Sequence, residues 1–242
     1  MAKLVQKSGY IKSGKASGYM RYIATREGVE KLAGNGAVTK GQRELIQKLL
    51  HDFPDAAELF EYEDYCKTPT LGTASAFITM ALDANLHEID SESGYMQYIA
   101  TRPRVQKHGS HGLFSSSTSV DLASAMSELE AHEGNVWTII YSLRREDAAR
   151  LEFDNADAWR TLLMENAPTL AKSMKISLNN FHWYAAFHDE GHHPHIHMMV
   201  WSDDPKEGFL TKGGIAAMRS KLTNAIFRDE MQQIYERKDV AY

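Results

Sequence analysis

The amino-acid sequence predicts an α+β fold in which helices cover a mainly antiparallel sheet. Helices and strands alternate too irregularly for a doubly wound parallel sheet. Two strand-like segments, 179–188 and 195–202, are separated by only six residues, so they are expected to form an antiparallel hairpin. A third segment, 135–144, is rich in β-branched and aromatic residues and follows a glycine, which is typical of a strand.

Apolar spacing and turn residues predict the other elements in order. Residues 3–12 are expected to form the opening strand, and residues 111–116 a short strand. Helices are predicted at 41–53, 73–89, 120–132, 155–176 and 211–236. The first two helices are expected to be separated by a loop that contains Pro69 and Gly72. A helix break is expected at Pro168, because proline lacks the amide hydrogen that a helix needs.

Composition predicts a cytoplasmic globular protein. The 242 residues are 43% hydrophobic and 24% charged, and no segment has the length and apolarity of a membrane span or a secretory leader. A single cysteine excludes an internal disulfide framework and a thiolate metal cluster. The net charge is −5, yet residues 1–32 carry seven Lys and Arg against two acids. This segregation fits a local basic face, and it is also common on solvated helices.

One segment of the chain occurs twice. Residues 17–31, SGYMRYIATREGVEK, return as residues 93–107, SGYMQYIATRPRVQK, with identity at eleven of fifteen positions. Apolar residues four apart predict a short helix in each copy. Each copy carries two tyrosines and an arginine, which are Tyr19, Tyr22 and Arg26 in the first and Tyr95, Tyr98 and Arg102 in the second. The copies are either duplicated packing helices or duplicated functional segments.

Five of the eleven histidines fall within one stretch, FHDEGHHPHIHMMVW. Alternate residues of a strand point to one face, so His195 and His197 should project side by side, and the hairpin should bring His188 to them. Three imidazoles with an open side are typical of catalytic divalent-metal sites. The alternative is a core of neutral histidines, which is disfavoured because burying polar rings costs free energy. The remaining two, His192 and His193, are assigned to the loop beside this site.

This histidine pattern resembles the motif of conjugative relaxases in the HUH endonuclease superfamily. His188 and the run Pro194-His195-Ile196-His197 reproduce its spacing, H-x₆-H-x-H, with a proline before the second histidine. With both YIATR segments, HGLFS and GNVWTIIYSLRREDAARL, nearly the whole chain resembles the MobL group of plasmid mobilisation relaxases. The resemblance implies one HUH relaxase-like domain over 1–242, with 33–90 as a helical insertion. It also allows the chain to be part of a longer protein.

The resemblance implies a nicking and joining reaction on single-stranded DNA at a transfer origin. A tyrosine hydroxyl attacks the scissile phosphodiester and forms a 5′-phosphotyrosyl link with a free 3′-hydroxyl, and reversal reseals the strand. The implied cofactor is a divalent ion on His188, His195 and His197, with Mn²⁺ or Mg²⁺ usual in such enzymes and Zn²⁺ also suited to imidazole. Glu190 is the acid that the motif implies in the loop. Accessory relaxosome and coupling proteins are implied partners.

The sequence leaves the choice of tyrosine open. In related relaxases the nucleophile lies after the opening strand in a segment ending Tyr-Ile, which puts Tyr22 first. Tyr98 fits the same order of elements if 33–90 is an insertion, and two tyrosines could also act in turn. Tyr19 and Tyr95 are the remaining candidates. The candidate DNA contacts are Arg26, Arg102, Tyr19 and Tyr95, with ordinary surface ion pairs as the alternative for the arginines.

Two other functions fit parts of the sequence. The run HPHIHMM also matches the histidine-triad nucleotide hydrolases, in which His195 would attack a nucleotide phosphate without a metal or a tyrosine. A non-catalytic origin-binding module would keep the relaxase fold and lose cleavage. The proline, the chain length and the tyrosine repeat disfavour the hydrolase, and the presence of every candidate catalytic residue disfavours the binding module.

Overall fold

The computed structural model describes residues 3–10, 36–85, 96, 99–101, 105–107, 110–117, 119–189 and 193–228. These residues contain a five-stranded sheet in the order β1-β3-β5-β4-β2, and every neighbouring pair is antiparallel. The strands are β1 (Val5–Tyr10), β2 (Leu113–Phe114), β3 (Trp137–Ser142), β4 (Phe181–His188) and β5 (His195–Ser202). The predicted α+β class with an antiparallel sheet is therefore confirmed.

Seven α-helices are described: α1 (Lys40–Asp52), α2 (Phe60–Lys67), α3 (Leu71–Ala84), α4 (Leu122–Glu130), α5 (Arg145–Arg150), α6 (Ala156–Ser173) and α7 (Lys212–Ile226). Short 3₁₀ turns occupy Pro54–Glu58 and Leu178–Asn180. Several α-helices begin at a side chain that accepts a backbone amide hydrogen, as Thr39 and Asn155 do for α1 and α6. In the described residues no helix is both long enough and apolar enough to cross a membrane.

The structure differs from the sequence prediction in four respects. Helix α2 and the preceding 3₁₀ turn lie where no helix was predicted, and Gly72 belongs to α3 rather than to a loop. Helix α5 was also not predicted. The expected break at Pro168 is wrong, because α6 continues through this residue. Leu162, Leu163 and other buried residues on both sides of the proline anchor the helix, and this packing outweighs one lost hydrogen bond.

One face of the sheet forms the larger core. Alternate residues of β3 and β5 on this face, including Ile139, Tyr141 and Met198, pack with buried side chains of α6 and α7 such as Trp159 and Leu222. All five of these side chains are almost fully buried. Burial of this apolar surface is the main free-energy contribution that holds the two long helices on the sheet.

The opposite face of the sheet is covered in two separate parts. On the β1 and β3 side, Val5 and Ile140 pack with the buried residues of α1, α2 and α3. On the β4 and β2 side, Leu113 and Ala186 pack with α4 and with described residues between 96 and 105. Strand β5 lies between β3 and β4, so its residues on this face are next to both helical groups. All three histidines of the predicted metal site are on this face.

Candidate metal centre

The hairpin of β4 and β5 brings the three predicted histidines together. His188 is directly opposite His195, and His197 is opposite Ala186 on the same face. The ring centroids are 4.5 Å apart for His188 and His197, 5.0 Å for His195 and His197, and 5.2 Å for His188 and His195. All three side chains are buried, with at most 1% of the residue surface exposed.

Backbone carbonyl groups determine which ring nitrogen two of these histidines present. His188 donates from Nε2 to the Ile99 carbonyl oxygen at 2.8 Å, and His195 donates from Nδ1 to the His193 carbonyl oxygen at 3.0 Å. A carbonyl oxygen only accepts, so each of these nitrogens carries the hydrogen. The nitrogens suited to a metal are therefore Nδ1 of His188 and Nε2 of His195. Metal-binding histidines commonly make this kind of outer hydrogen bond.

The donor set fits a divalent metal ion. One ligand atom from each histidine can be chosen so that all three lie within 4.8 Å of one another. Two nitrogens that bind one ion at about 2.1 Å can be at most about 4.2 Å apart, so the spacing of the histidine ligand atoms is close to what a bound ion requires. Neutral imidazole is a good ligand for several transition metals. The cluster of His188, His195 and His197 can therefore hold a metal ion.

The second copy of the repeated segment packs directly on this cluster. Met96 and residues 99–101 have helical backbone, and Ile99 supplies the carbonyl group that accepts from His188. Val105 forms an antiparallel bridge with His188, and the Gln106 amide donates to the Phe187 carbonyl oxygen at 2.9 Å. The second copy therefore contacts both the ring and the backbone of a histidine in the cluster.

Gly112 allows this close approach. Its amide donates to the Ala100 carbonyl oxygen at 2.8 Å, just before β2 begins. A Cβ atom at position 112 would lie 2.8 Å from the Gln106 carbonyl oxygen and would also overlap the Val105 side chain. Only glycine lets the chain around Val105 close onto the sheet at this point.

A fourth histidine lies beside the cluster. The ring of His193 donates from Nε2 to Asp64 Oδ2 at 2.7 Å and stacks on Phe60, with ring centroids 5.2 Å apart. Arg144 donates to Asp64 Oδ1 at 3.1 Å and to Glu63 Oε2 at 3.0 Å. Burial opposes ionisation of Asp64, but the hydrogen bonds from His193 and Arg144 outweigh it and hold its pKa below the ordinary value.

The other predicted site residues lie outside the described residues. They are Tyr19, Tyr22, Arg26, Tyr95, Tyr98, Arg102 and Glu190. Their neighbours are informative in two cases: Ile99, which follows Tyr98, contacts His188, and Asp189, which precedes Glu190, accepts a hydrogen bond from Arg145. The two tryptophans of the hairpin, Trp183 and Trp201, are buried in the core.

The structure adds residues that the sequence interpretation did not select. Asp64 lies on α2 and Arg144 follows β3, and both reach the site through His193, which the sequence had assigned to the loop beside the cluster. Ser142 is directly opposite His195 on the histidine face and is 1% exposed. The alternation of histidines gave no signal for Asp64, which is 129 residues away from His193 in the chain.

A buried three-histidine cluster on the face of an antiparallel sheet defines an α+β protein with a candidate divalent-metal centre. A family model described as MobL relaxases matches residues 1–241. The chain therefore belongs to the MobL relaxase family. Its general function is accordingly that of a relaxase. Neither a curated protein nor a solved structure matches the chain.

Proposed function

We propose that this relaxase is a metal-dependent, strand-specific transesterase that nicks single-stranded DNA at a transfer origin and can rejoin it. The observation that carries the proposal is the buried cluster of His188, His195 and His197, whose ligand atoms lie within 4.8 Å of one another. Membership of the MobL relaxase family supports the DNA substrate. The proposal includes a single relaxase domain in which residues 33–90 are a helical insertion.

The three histidines hold the ion, which is Mn²⁺ or Mg²⁺ in this proposal, with Zn²⁺ as the alternative. When bound, the ion polarises the oxygens of the scissile phosphate and stabilises the negative charge that develops there. The carbonyl groups of Ile99 and His193 keep the rings of His188 and His195 in the orientation that binding requires. The loop acid Glu190 is proposed to accept the phenolic proton of the nucleophile.

The nucleophile is Tyr22 or Tyr98. A phenol with a pKa of about 10 is a weak nucleophile at neutral pH and needs a base and charge stabilisation at the phosphate. The phenolic oxygen bonds to phosphorus, the bond to the 3′ oxygen breaks, and the leaving oxygen gains a proton. Tyr98 has structural support, because the next residue in the chain contacts His188 through its carbonyl group. Tyr22 is supported by its position after the opening strand.

The remaining residues of the repeated segments are proposed to bind the DNA strand. Arg26 and Arg102 carry guanidinium groups, which bind phosphate through paired hydrogen bonds. Tyr19 and Tyr95 carry rings on which unpaired bases can stack. The partners in this proposal are single-stranded DNA at the transfer origin and the accessory relaxosome and coupling proteins.

The test is a denaturing gel of protein incubated with a single-stranded origin oligonucleotide and Mn²⁺, with and without EDTA. Wild type is expected to form a covalent protein–DNA adduct that EDTA abolishes, because the ion stabilises the transition state. Tyr98→Phe and Tyr22→Phe remove only the hydroxyl group, so loss of the adduct in one variant identifies the nucleophile.

The same gel distinguishes the other functions. An adduct that persists in the double variant Tyr22→Phe with Tyr98→Phe would overturn the assignment to Tyr22 and Tyr98 and leave Tyr19 and Tyr95. Binding without cleavage on every origin sequence would favour a non-catalytic binding module. Nucleotide hydrolysis that persists in EDTA and disappears in His195→Ala would favour the histidine-triad reaction, which needs neither metal nor tyrosine.

A further inference from the structure

Helix α2 reaches the metal centre through a chain of three contacts. Asp64 Oδ2 accepts a hydrogen bond from His193 Nε2 at 2.7 Å. The backbone carbonyl oxygen of His193 in turn accepts from His195 Nδ1 at 3.0 Å. Nε2 is then the nitrogen of His195 that is suited to a metal. The position of the His193 backbone thus determines whether His195 holds the ring orientation and tautomer that a metal requires.

The carboxylate of Asp64 is itself held on both oxygens. Arg144 donates to Oδ1 at 3.1 Å while His193 donates to Oδ2, so the carboxylate has a defined orientation. The Arg144 guanidinium also lies 4.7 Å from the ring centroid of Phe60, on which His193 stacks. Phe60 and Asp64 are four residues apart on α2 and therefore share one helix face.

The backbone on the other side of His193 is held by the sheet. Pro194, which has a restricted φ angle, follows His193, and its carbonyl oxygen accepts from the Leu143 amide at 3.2 Å. His193 is 5% exposed, so its ring cannot take up another orientation without leaving this packed position. Leu143, just after β3, and Asp64 on α2 thus hold the two residues that precede His195.

We propose that Asp64 is a positioning residue of the metal centre, which acts through His193 on His195. The helical group of α1, α2 and α3 then belongs to the metal site and is more than a packing layer on the sheet. This inference rests on the proposed function, since it requires that the three histidines bind an ion. It predicts that loss of the Asp64 carboxylate lowers the free energy of metal binding by more than it lowers the free energy of unfolding.

The matched pair of variants for the test is Asp64→Asn and Glu63→Gln. Both residues lie on α2, both accept from Arg144, and both substitutions are isosteric and remove one negative charge. Only Asp64 contacts His193. Asparagine offers one acceptor oxygen to two donors, so it keeps both partners only if His193 changes tautomer and accepts from the asparagine amide, which alters the contact that holds His193.

The measurement is the affinity of the full chain for Co²⁺ alone, by calorimetric titration and by the visible absorption of the bound ion, with thermal unfolding of the metal-free proteins alongside. We expect Asp64→Asn to weaken Co²⁺ binding about 10- to 100-fold and to alter the absorption spectrum. Glu63→Gln is expected to stay within about threefold of wild type, since it leaves His193 in place.

A second variant keeps the inference testable if Asp64→Asn folds poorly. His193→Phe retains a ring that can stack on Phe60 but has no hydrogen-bond donor. It should weaken Co²⁺ binding as Asp64→Asn does, and the double variant should be no weaker than either single variant, because both changes remove the same contact.

The outcomes separate the inference from the function on which it depends. Wild type that binds no Co²⁺ would overturn the proposed metal-dependent function. Wild type that binds Co²⁺ while Asp64→Asn binds equally well would overturn the positioning role alone. Equal weakening in Asp64→Asn and Glu63→Gln would also overturn it, because the effect would then come from Arg144 or from the charge of α2.

Discussion

Backbone carbonyl groups from different parts of the chain orient two of the histidine rings in the cluster. His188 is oriented by the carbonyl group of Ile99 in the second repeated segment, and His195 by the carbonyl group of His193 in the loop before β5. These two groups come from parts of the chain that pack on opposite sides of β5. A metal centre built in this way depends on backbone position more than on acidic side chains, so it is sensitive to changes that shift either segment.

Tyr141 gives a prediction about a residue in the large core. Its side chain is fully buried, burial raises its pKa, and within the described part of the chain its hydroxyl oxygen has no hydrogen-bond partner. Tyr141→Phe removes a buried polar group and keeps the ring. We expect the free energy of unfolding to rise by about 1 kcal/mol, measured by urea denaturation with an unchanged m value.

The control for this prediction is Tyr184→Phe. The Tyr184 hydroxyl donates to Glu128 Oε2 at 3.0 Å, and burial together with this carboxylate raises the pKa of Tyr184 to about 12. Loss of this hydrogen bond should lower the free energy of unfolding by about 1 kcal/mol. A Tyr141→Phe variant less stable than wild type would show that the buried hydroxyl contributes to the fold.

At the residue level, sequence alone could predict the histidine cluster, but it could not predict the groups that orient the histidine rings. Alternation along a strand places His195 and His197 on one face, and the short loop returns His188 to the same point, so local rules suffice. Asp64 is 129 residues from His193, and its contact depends on how α2 packs on the sheet. The carbonyl group of Ile99 carries no sequence signal, because every residue has one.

At the scale of elements, the sequence patterns predicted the strands more accurately than the helices. Strands β3, β4 and β5 lie within the predicted segments, since β-branched, aromatic and alternating residues mark them clearly. Helix α2 was missed because its charged residues, such as Glu61 and Glu63, give little apolar periodicity over eight residues. Its formation depends on burial of Phe60 against neighbouring helices, which a local pattern does not reveal.

Helix α6 gives a prediction at this scale. Pro168 is an exposed residue inside the helix and cannot donate to the carbonyl group of Met164, one turn earlier. Pro168→Ala restores that hydrogen bond, and we expect it to raise the free energy of unfolding by about 2 kcal/mol. Urea denaturation measures the change, with exposed Glu165→Ala as a control expected within about 0.5 kcal/mol of wild type. A destabilised Pro168→Ala variant would contradict this account of the helix.

At the scale of the whole molecule, the sheet separates the main core from the candidate metal site. One face packs against α6 and α7 and forms the main core. The other carries the histidine cluster, with α1 to α3 on one side and α4 with the second repeated segment on the other. Residues far apart in the sequence thus meet at one site. The sequence could indicate an antiparallel sheet, but the assembly of two helical groups around β5 depends on long-range packing.

The central claim is that the histidine cluster supports covalent strand transfer. The most direct measurement is the intact mass of the chain after incubation with a single-stranded origin oligonucleotide and Mn²⁺. Wild type should gain the mass of the DNA fragment downstream of the nick, and His197→Ala should lose this product at least about 100-fold. His182→Ala, which changes a histidine at the other end of the same sheet face, should retain it. An adduct in His197→Ala equal to that of wild type, or no adduct in wild type on its cognate origin, would contradict the claim.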